Sequence, residues 1–407
     1  MLRHIRSVLV RAPHVRLHQL RRLDDRIAAH LDGLAVAGAY GTALCTAALE
    51  RPGVGEVFAL AVRAIDERDD ATLDRLLALA AALPDAQRGL KSALGWVSAA
   101  QLQGIVQALL LSDDPLRREI GIAACRLHGA DPGTTLLAAL RSDAPALRAE
   151  ALRAAGELGR ADALAPALAA LSDADASVAL EAARTACPLG DRGASLQALE
   201  AIAQREGPQR ERASTLLLLA VDFEPGRQIV RRIAQGALPE GVTEAARKRR
   251  VVRACALLGD ARFVPWLVEQ MADDALARLA GESFALISGA DLAALNLERK
   301  PPQVAPGAPN DDPADDNVAL DEDDSLPWPD RERVLAWWAA HAAQMPADAR
   351  CFMGAAPSPA HCTQMLREGQ QRQRIVAAQL RCLLAPGGAL FATSAPAWRQ
   401  KRRLDAE

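Results

Sequence analysis

The sequence predicts a mainly α protein: an α-solenoid of stacked helix pairs, followed by a disordered acidic linker and a small α+β C-terminal domain. Three observations carry that prediction. Ser112-Asp113, Ser142-Asp143 and Ser172-Asp173 open three successive units about 30 residues apart, a period at which one helical unit cannot bury its apolar face alone. The segments Leu137-Ala138-Ala139-Leu140, Leu168-Ala169-Ala170-Leu171 and Leu199-Glu200-Ala201-Ile202 fall at equivalent places in those units. The composition is 50% hydrophobic but only 3% aromatic, dominated by Ala and Leu, which favour helices and let them approach closely.

Residues 1–46 read as one or two helices, with Leu17, Leu20, Leu23, Ile27 and Leu31 three to four residues apart and Gly33 and Gly38 loosening the pattern. The array is expected over residues 47–297. Its first helices are Val54 to Ile65, Ala71 to Leu83, Ala86 to Trp96 and Ala99 to Leu111, with Pro52, Pro84 and Pro115 at the breaks. Gly129, Gly159 and Gly190 stand where the first helix of each clear unit should end, since glycine accepts the left-handed conformation that closes a helix. Arg118 and Arg148 hold one position in two units, and Val178 interrupts that series in the third. Weaker periodicity continues through Arg210 to Ala220, Gly226 to Gln235, Thr243 to Leu258, Phe263 to Met271 and Leu276 to Ile287, where Gly259 with Pro265 six residues later resembles Gly159 with Pro166.

Residues 298–325 hold Pro301, Pro302, Pro306, Pro309 and Pro313 among Asp311, Asp312, Asp315, Asp316, Asp321, Glu322, Asp323 and Asp324. Such a stretch buries too little apolar surface to offset its ordering entropy, so it is expected to be disordered. In residues 326–407, Asp330 can cap a helix carrying Val334, Leu335, Trp337 and Trp338. Arg350 to Met353 and Ala389 to Thr393 read as short strands, and Pro359 to Leu384 as one long helix, around an aromatic core.

The bulk properties exclude some classes. A net charge of −3 gives no global attraction to nucleic acid or anionic membrane. The seven cysteines contain no C-x-x-C pair, and four sit inside apolar helical pattern, which fits a reducing cytoplasm. The N-terminus is too often interrupted by charge for a signal-peptide core, and no uncharged apolar run reaches membrane-spanning length.

Candidate chemistry is thin. His14 and His18 would share a helix face, but no neighbouring ligand completes a metal site. No histidine is followed by Glu, which removes a repeat-borne di-iron centre. His361-Cys362, with Cys351, invites a nucleophile-and-base reading, yet adjacent residues on a helix point about 100° apart, so structural thiols are expected. Pro386-Gly387-Gly388 lacks the Lys and Ser/Thr of a phosphate loop and reads as a turn. No catalytic residue, metal or cofactor is expected, and the chain is not expected to be an enzyme. Arg247, Lys248, Arg249 and Arg250 form the strongest basic run; it can be offered to nucleic acid or, alternatively, to the chain's own Asp-rich segment. Trp328, between two prolines, and Trp398, beside Arg399, are expected to be partly exposed, as interface anchors are.

The pattern of Asp-containing turn, Arg, Ala-rich helix, Leu-Gly and Pro in a second short helix resembles the HEAT-like repeat family over about Ala47 to Leu297. More specifically, Arg22 to Arg26 leading to His30 to Leu34, Arg278-Leu279-Ala280-Gly281-Glu282-Ser283-Phe284, Leu326 to Asp330, and Ala395 to Gln400 together resemble an uncharacterised bacterial family encoded beside type VI secretion loci. The first resemblance implies fold and little chemistry. The second implies a protein-binding adaptor or chaperone-like accessory whose partner is a secretion effector or spike-associated component, with Arg278, Glu282, Trp328, Trp398 and Arg399 as candidate contact residues.

Overall fold

The computed structural model describes residues 1–238, 241–302, 321–346 and 349–406, and these are mainly helical. The chain divides into two compact units: residues 1–213 with 363–407, and residues 214–362.

In the first unit, α1 (Leu2–Leu9), α2 (Leu17–Val36) and α3 (Gly38–Ala48) precede α4 (Val54–Glu67), α5 (Asp70–Ala82), α6 (Pro84–Trp96) and the short α7 (Ile105–Leu110). The three clear sequence units become α8 (Pro115–His128) with α9 (Thr134–Ala139), α10 (Pro145–Leu158) with α11 (Leu164–Ala169), and α12 (Ala176–Ala186) with α13 (Ala194–Gln204). Helices α4, α6, α8, α10 and α12 pack side by side in that order. Pro84, Pro115 and Pro145 occupy first turns, where a missing N–H costs nothing, and the Asp69, Asp114 and Asp175 carboxylates accept from the free N–H groups there. Gly129 and Gly159 close α8 and α10 in the left-handed conformation, as expected, whereas Gly190 follows a further turn beyond α12. The core is aliphatic, with Ala151, Ala155, Ala163, Ala167, Ala182 and Ala186 fully enclosed between the stacked helices.

The second unit begins within α14 (Arg210–Ala220) and contains α15 (Phe223–Gln235), α16 (Glu244–Leu258), α17 (Val264–Gln270), α18 (Asp274–Ser288) and α19 (Arg331–His341). Its boundary falls inside α20 (Pro359–Glu368), after which α21 (Gln371–Leu384) and α22 (Ala397–Ala406) belong to the first unit. The single long helix expected over Pro359 to Leu384 is broken because Gln371 N–H donates to the Val15 carbonyl at 2.8 Å and Arg16 pairs with Gln370.

The expected α+β domain is not formed. Among the described residues, Phe352 makes only an isolated bridge to Ala355, and residues 389–393 make no strand. Their backbone donors go to helix ends instead. In the second unit, Cys351 N–H donates to the Gly259 carbonyl at 2.7 Å, Met353 N–H to Leu286 at 2.7 Å and Gly354 N–H to Ile287 at 2.9 Å. The Arg350 guanidinium adds bonds to the Leu257, Leu258 and Val221 carbonyls at 2.6, 2.7 and 2.9 Å. In the first unit, Leu390 N–H donates to Glu157 at 2.8 Å and Gly387 N–H to Pro188 at 3.2 Å. Extended chain thus satisfies the orphan carbonyls that every helix leaves at its C-terminus. The capping glycines also make room for it: a Cβ on Gly159 would collide with the Gly387 carbonyl, and one on Gly259 would stand 2.5 Å from that of Cys351.

Nor is there one C-terminal aromatic core. Trp398 packs edge-on against Trp96 at 4.7 Å, which meets Phe58 at 5.8 Å, while Trp337 and Trp338 pack edge-on against Phe284 at 5.7 and 6.2 Å. The predicted linker is ordered at both described ends, with Arg299 N–H bonded to Trp328 and Asp330 N–H to Leu297. Residues 303–320, on which the rest of that expectation falls, lie outside the described residues.

Candidate protein-binding surfaces

The basic run on α16 is met by the acidic segment, as one of its two sequence readings expects. Arg249 and Arg253 lie four apart and so share a helix face. Arg249 grips Asp323 with both terminal nitrogens, at 2.6 and 2.7 Å, and Arg253 reaches Glu322 at 2.6 Å. Arg278, from the adjacent α18, donates to the Asp321 carboxylate at 2.6 Å and to the Asp323 carbonyl at 3.1 Å. Donating to the Asp323 carboxylate raises the Arg249 pKa above its ordinary value, against the opposing effect of burial. Arg247 bonds the Gly236 carbonyl and Glu244, Lys248 is exposed, and Arg250 is half-buried. The four residues of the run therefore do not form one patch.

Several expected contact residues are placed differently from the expectation. Trp328 is buried, with the Arg278 guanidinium 4.7 Å and that of Arg299 5.2 Å from its ring centroid; the flanking prolines set its backbone, but these two arginines enclose it. Arg278 is itself buried, and Glu282 is half-buried on the same helix. In the first unit Trp398 is partly exposed, as expected, but packs against Trp96, and Arg399 donates to the Gly95, Val97 and Leu127 carbonyls at 2.9, 3.0 and 3.3 Å, capping helix ends. Trp398 and Arg399 hold the fold of that unit.

The sequence reading missed two features. One is a row of ion pairs across the stacked helices: Lys91 meets Glu119 at 2.5 Å and Arg126 meets Glu150 at 2.7 Å and Glu157 at 2.9 Å, while the more exposed Arg153 meets Glu157 at 2.7 Å and the exposed Arg212 meets Glu181. Burial alone would raise the Glu157 carboxyl, but Arg126 and Arg153 outweigh it and hold it down to about 2. The row interlocks the helices through matched charges. The other is an apolar face on α2 and α3. Val36, Tyr40 and Leu44 are 90%, 69% and 47% exposed, and Ala47 and Ala48 beside them are exposed as well. Gly33 to Leu49 carries no charged side chain, which was the signal available in the sequence. Tyr40 is the chain's one tyrosine.

The residues considered for chemistry are engaged structurally or apart. α2 begins at Leu17, so His14 precedes the helix and does not share a face with His18. His361 Nε2 bonds the Phe352 carbonyl at 2.9 Å, and Cys362 and Cys351 are buried. Burial pushes the Cys351 thiol up to about 11 and that of Cys255 to about 12. Among the described residues no group of three or more His, Cys, Asp or Glu could hold a metal ion, and no helix is long and apolar enough to cross a membrane. No protein-family model, curated protein or solved structure matches the chain.

Proposed function

We propose that this protein is a protein-binding helical-repeat scaffold of the HEAT-like α-solenoid type, acting as an adaptor or chaperone-like accessory of a bacterial type VI secretion system. The observation that carries protein binding is the exposed face of Val36, Tyr40 and Leu44. Exposed apolar side chains on an uncharged stretch of chain cost solubility unless a partner covers them, and tyrosine is a residue on which interface energy concentrates. The side-by-side packing of α4, α6, α8, α10 and α12 supports the scaffold architecture. The secretion context rests on the resemblance carried by residues 22–34, 278–284, 326–330 and 395–400. The nucleic-acid alternative is weakened by Asp323, which occupies Arg249, the centre of the basic run.

The test is co-expression with the products of neighbouring secretion genes, comparing the unsubstituted chain with a Val36→Ser, Tyr40→Asp variant. A partner that co-purifies with the first and is reduced at least ~10-fold with the second is expected. Equal recovery with both would remove this face. Failure to recover any such partner, together with steeply salt-dependent DNA binding, would favour the alternative.

A further inference from the structure

We propose that Arg249, Arg253, Arg278 and Arg299 form a receptor for an acidic peptide with a following aromatic anchor, filled here by the chain's own residues 321–328, and that an Asp/Glu-rich segment of a partner protein takes the same place. The inference concerns a surface other than the α2–α3 face and does not depend on it.

Three consecutive acidic side chains each have a different arginine as their nearest partner: Asp321 has Arg278, Glu322 has Arg253, with Arg249 farther off at 3.6 Å, and Asp323 has Arg249. The spacing of the arginines therefore reads an acidic peptide residue by residue, which a lone phosphate would not require. Recognition is graded. Asp323 is buried and doubly gripped, Asp321 is partly enclosed, and Glu322 is 65% exposed. Five residues after Asp323, Trp328 supplies an aromatic ring over which Arg278 and Arg299 both lie. Arg299 keeps its ion pair with Asp274, but Arg249, Arg253 and Arg278 would repel one another in an empty cleft, so the site favours an anionic occupant. The present occupant leaves part of the site unused: Arg278 Nε is buried and finds no acceptor among the described residues. A buried donor without a partner favours any ligand that supplies one more acceptor.

An occupant on the same chain competes at an effective concentration on the order of millimolar, so it masks the cleft from weak partners and yields to a well-matched or abundant one. The probe is a fluorescent synthetic peptide with the sequence of residues 321–330, added to the full chain. A triple variant, Asp321→Asn, Glu322→Gln, Asp323→Asn, should bind it at least ~10-fold more tightly than the unsubstituted chain. That binding should weaken with salt and be lost when Arg249→Ala is added, and the peptide with its acids replaced by amides should not bind. A folded triple variant that binds no better than the unsubstituted chain overturns the proposal. Should the triple variant fail to fold, hydrogen exchange of the unsubstituted chain decides: excess peptide should accelerate exchange of the amides of 321–328, and unchanged exchange overturns the proposal.

Discussion

Replacing Asp24 by Asn should cost the first unit about 3 kcal/mol, because this carboxylate is the polar pin between the two ends of the chain. Asp24 is fully buried. It accepts from Arg6 Nε at 2.5 Å, from Arg6 Nη2 at 3.3 Å and from the backbone N–H of Ala397 at 2.7 Å. Asn keeps the shape but removes the charge and turns an amide donor toward a guanidinium, leaving Arg6 enclosed with no counter-charge. Breaking such a buried pair from one side costs about 3–5 kcal/mol. Arg6 keeps its bonds to the Ser394 and Ala395 carbonyls at 3.0 Å each, which places the loss at the lower end. The measurement is a urea titration followed by far-UV circular dichroism. Arg88→Ala serves as reference, since its ion pair with Asp85 lies in solvent, where such pairs contribute under about 1 kcal/mol. Converting both partners, with Arg6→Met and Asp24→Leu, should recover much of the loss, because the unmatched charge is gone. An Asp24→Asn loss no larger than that of Arg88→Ala would refute the reasoning.

Two other perturbations test the packing. The Glu157 carboxyl lies below its unfolded value of 4.5, at about 2, so its stabilising contribution is complete above about pH 4.5 and is lost as pH falls toward 2. Glu157→Gln should flatten the stability profile in that window by about 2–3 kcal/mol in total, and superimposable acid-denaturation curves would contradict this. Gly159→Ala should be more damaging than Gly129→Ala, although both glycines are left-handed, because only at Gly159 does returning chain stand in the way of a Cβ. The expected difference in unfolding free energy is about 1–3 kcal/mol by thermal denaturation, and equal losses would show that the loop around Gly387 moves aside freely.

What the sequence made legible was local. Gly129, Gly159 and Gly259 announce helix ends, Asp330 announces a helix start and accepts from Arg333 N–H at 3.1 Å, and opposite charges announced the meeting of Arg249 with Asp323. What it concealed depended on distant backbone. Ala389 to Thr393 is a short apolar run, which suits a strand or any other buried extended segment, and nothing local says that Leu390 will find the carbonyl of Glu157. Trp328 between prolines reads as exposed because its two enclosing arginines come from α18 and from the start of the acidic segment. The face at Val36 and Tyr40 escaped notice because Gly33 and Gly38 read only as loosening the pattern, whereas α2 runs through Gly33 to Val36 and α3 starts at the left-handed Gly38. Of the nine candidate contact residues, Lys248 alone is exposed, so the sequence located the arginine cleft but not the outer apolar surface.

The pin at Asp24 has a consequence for how the chain is made. The first unit consists of residues 1–213 and 363–407, and its N-terminal partner strand of contacts, Arg6, Val10, Val15 and Asp24, waits for Gln371, Ser394, Ala395 and Ala397. At a synthesis rate of ~5–20 residues per second, roughly 7–30 s separate the emergence of the two parts, while the whole second unit is translated between them. During that interval Arg6 and Asp24 have each other but not their backbone partners, and the ends of α6, α8 and α10 lack the carbonyl caps that Arg399 and Leu390 bring. A ribosome stalled before residue 363 therefore holds an array with open ends, and maturation of this protein is completed only when its tail arrives.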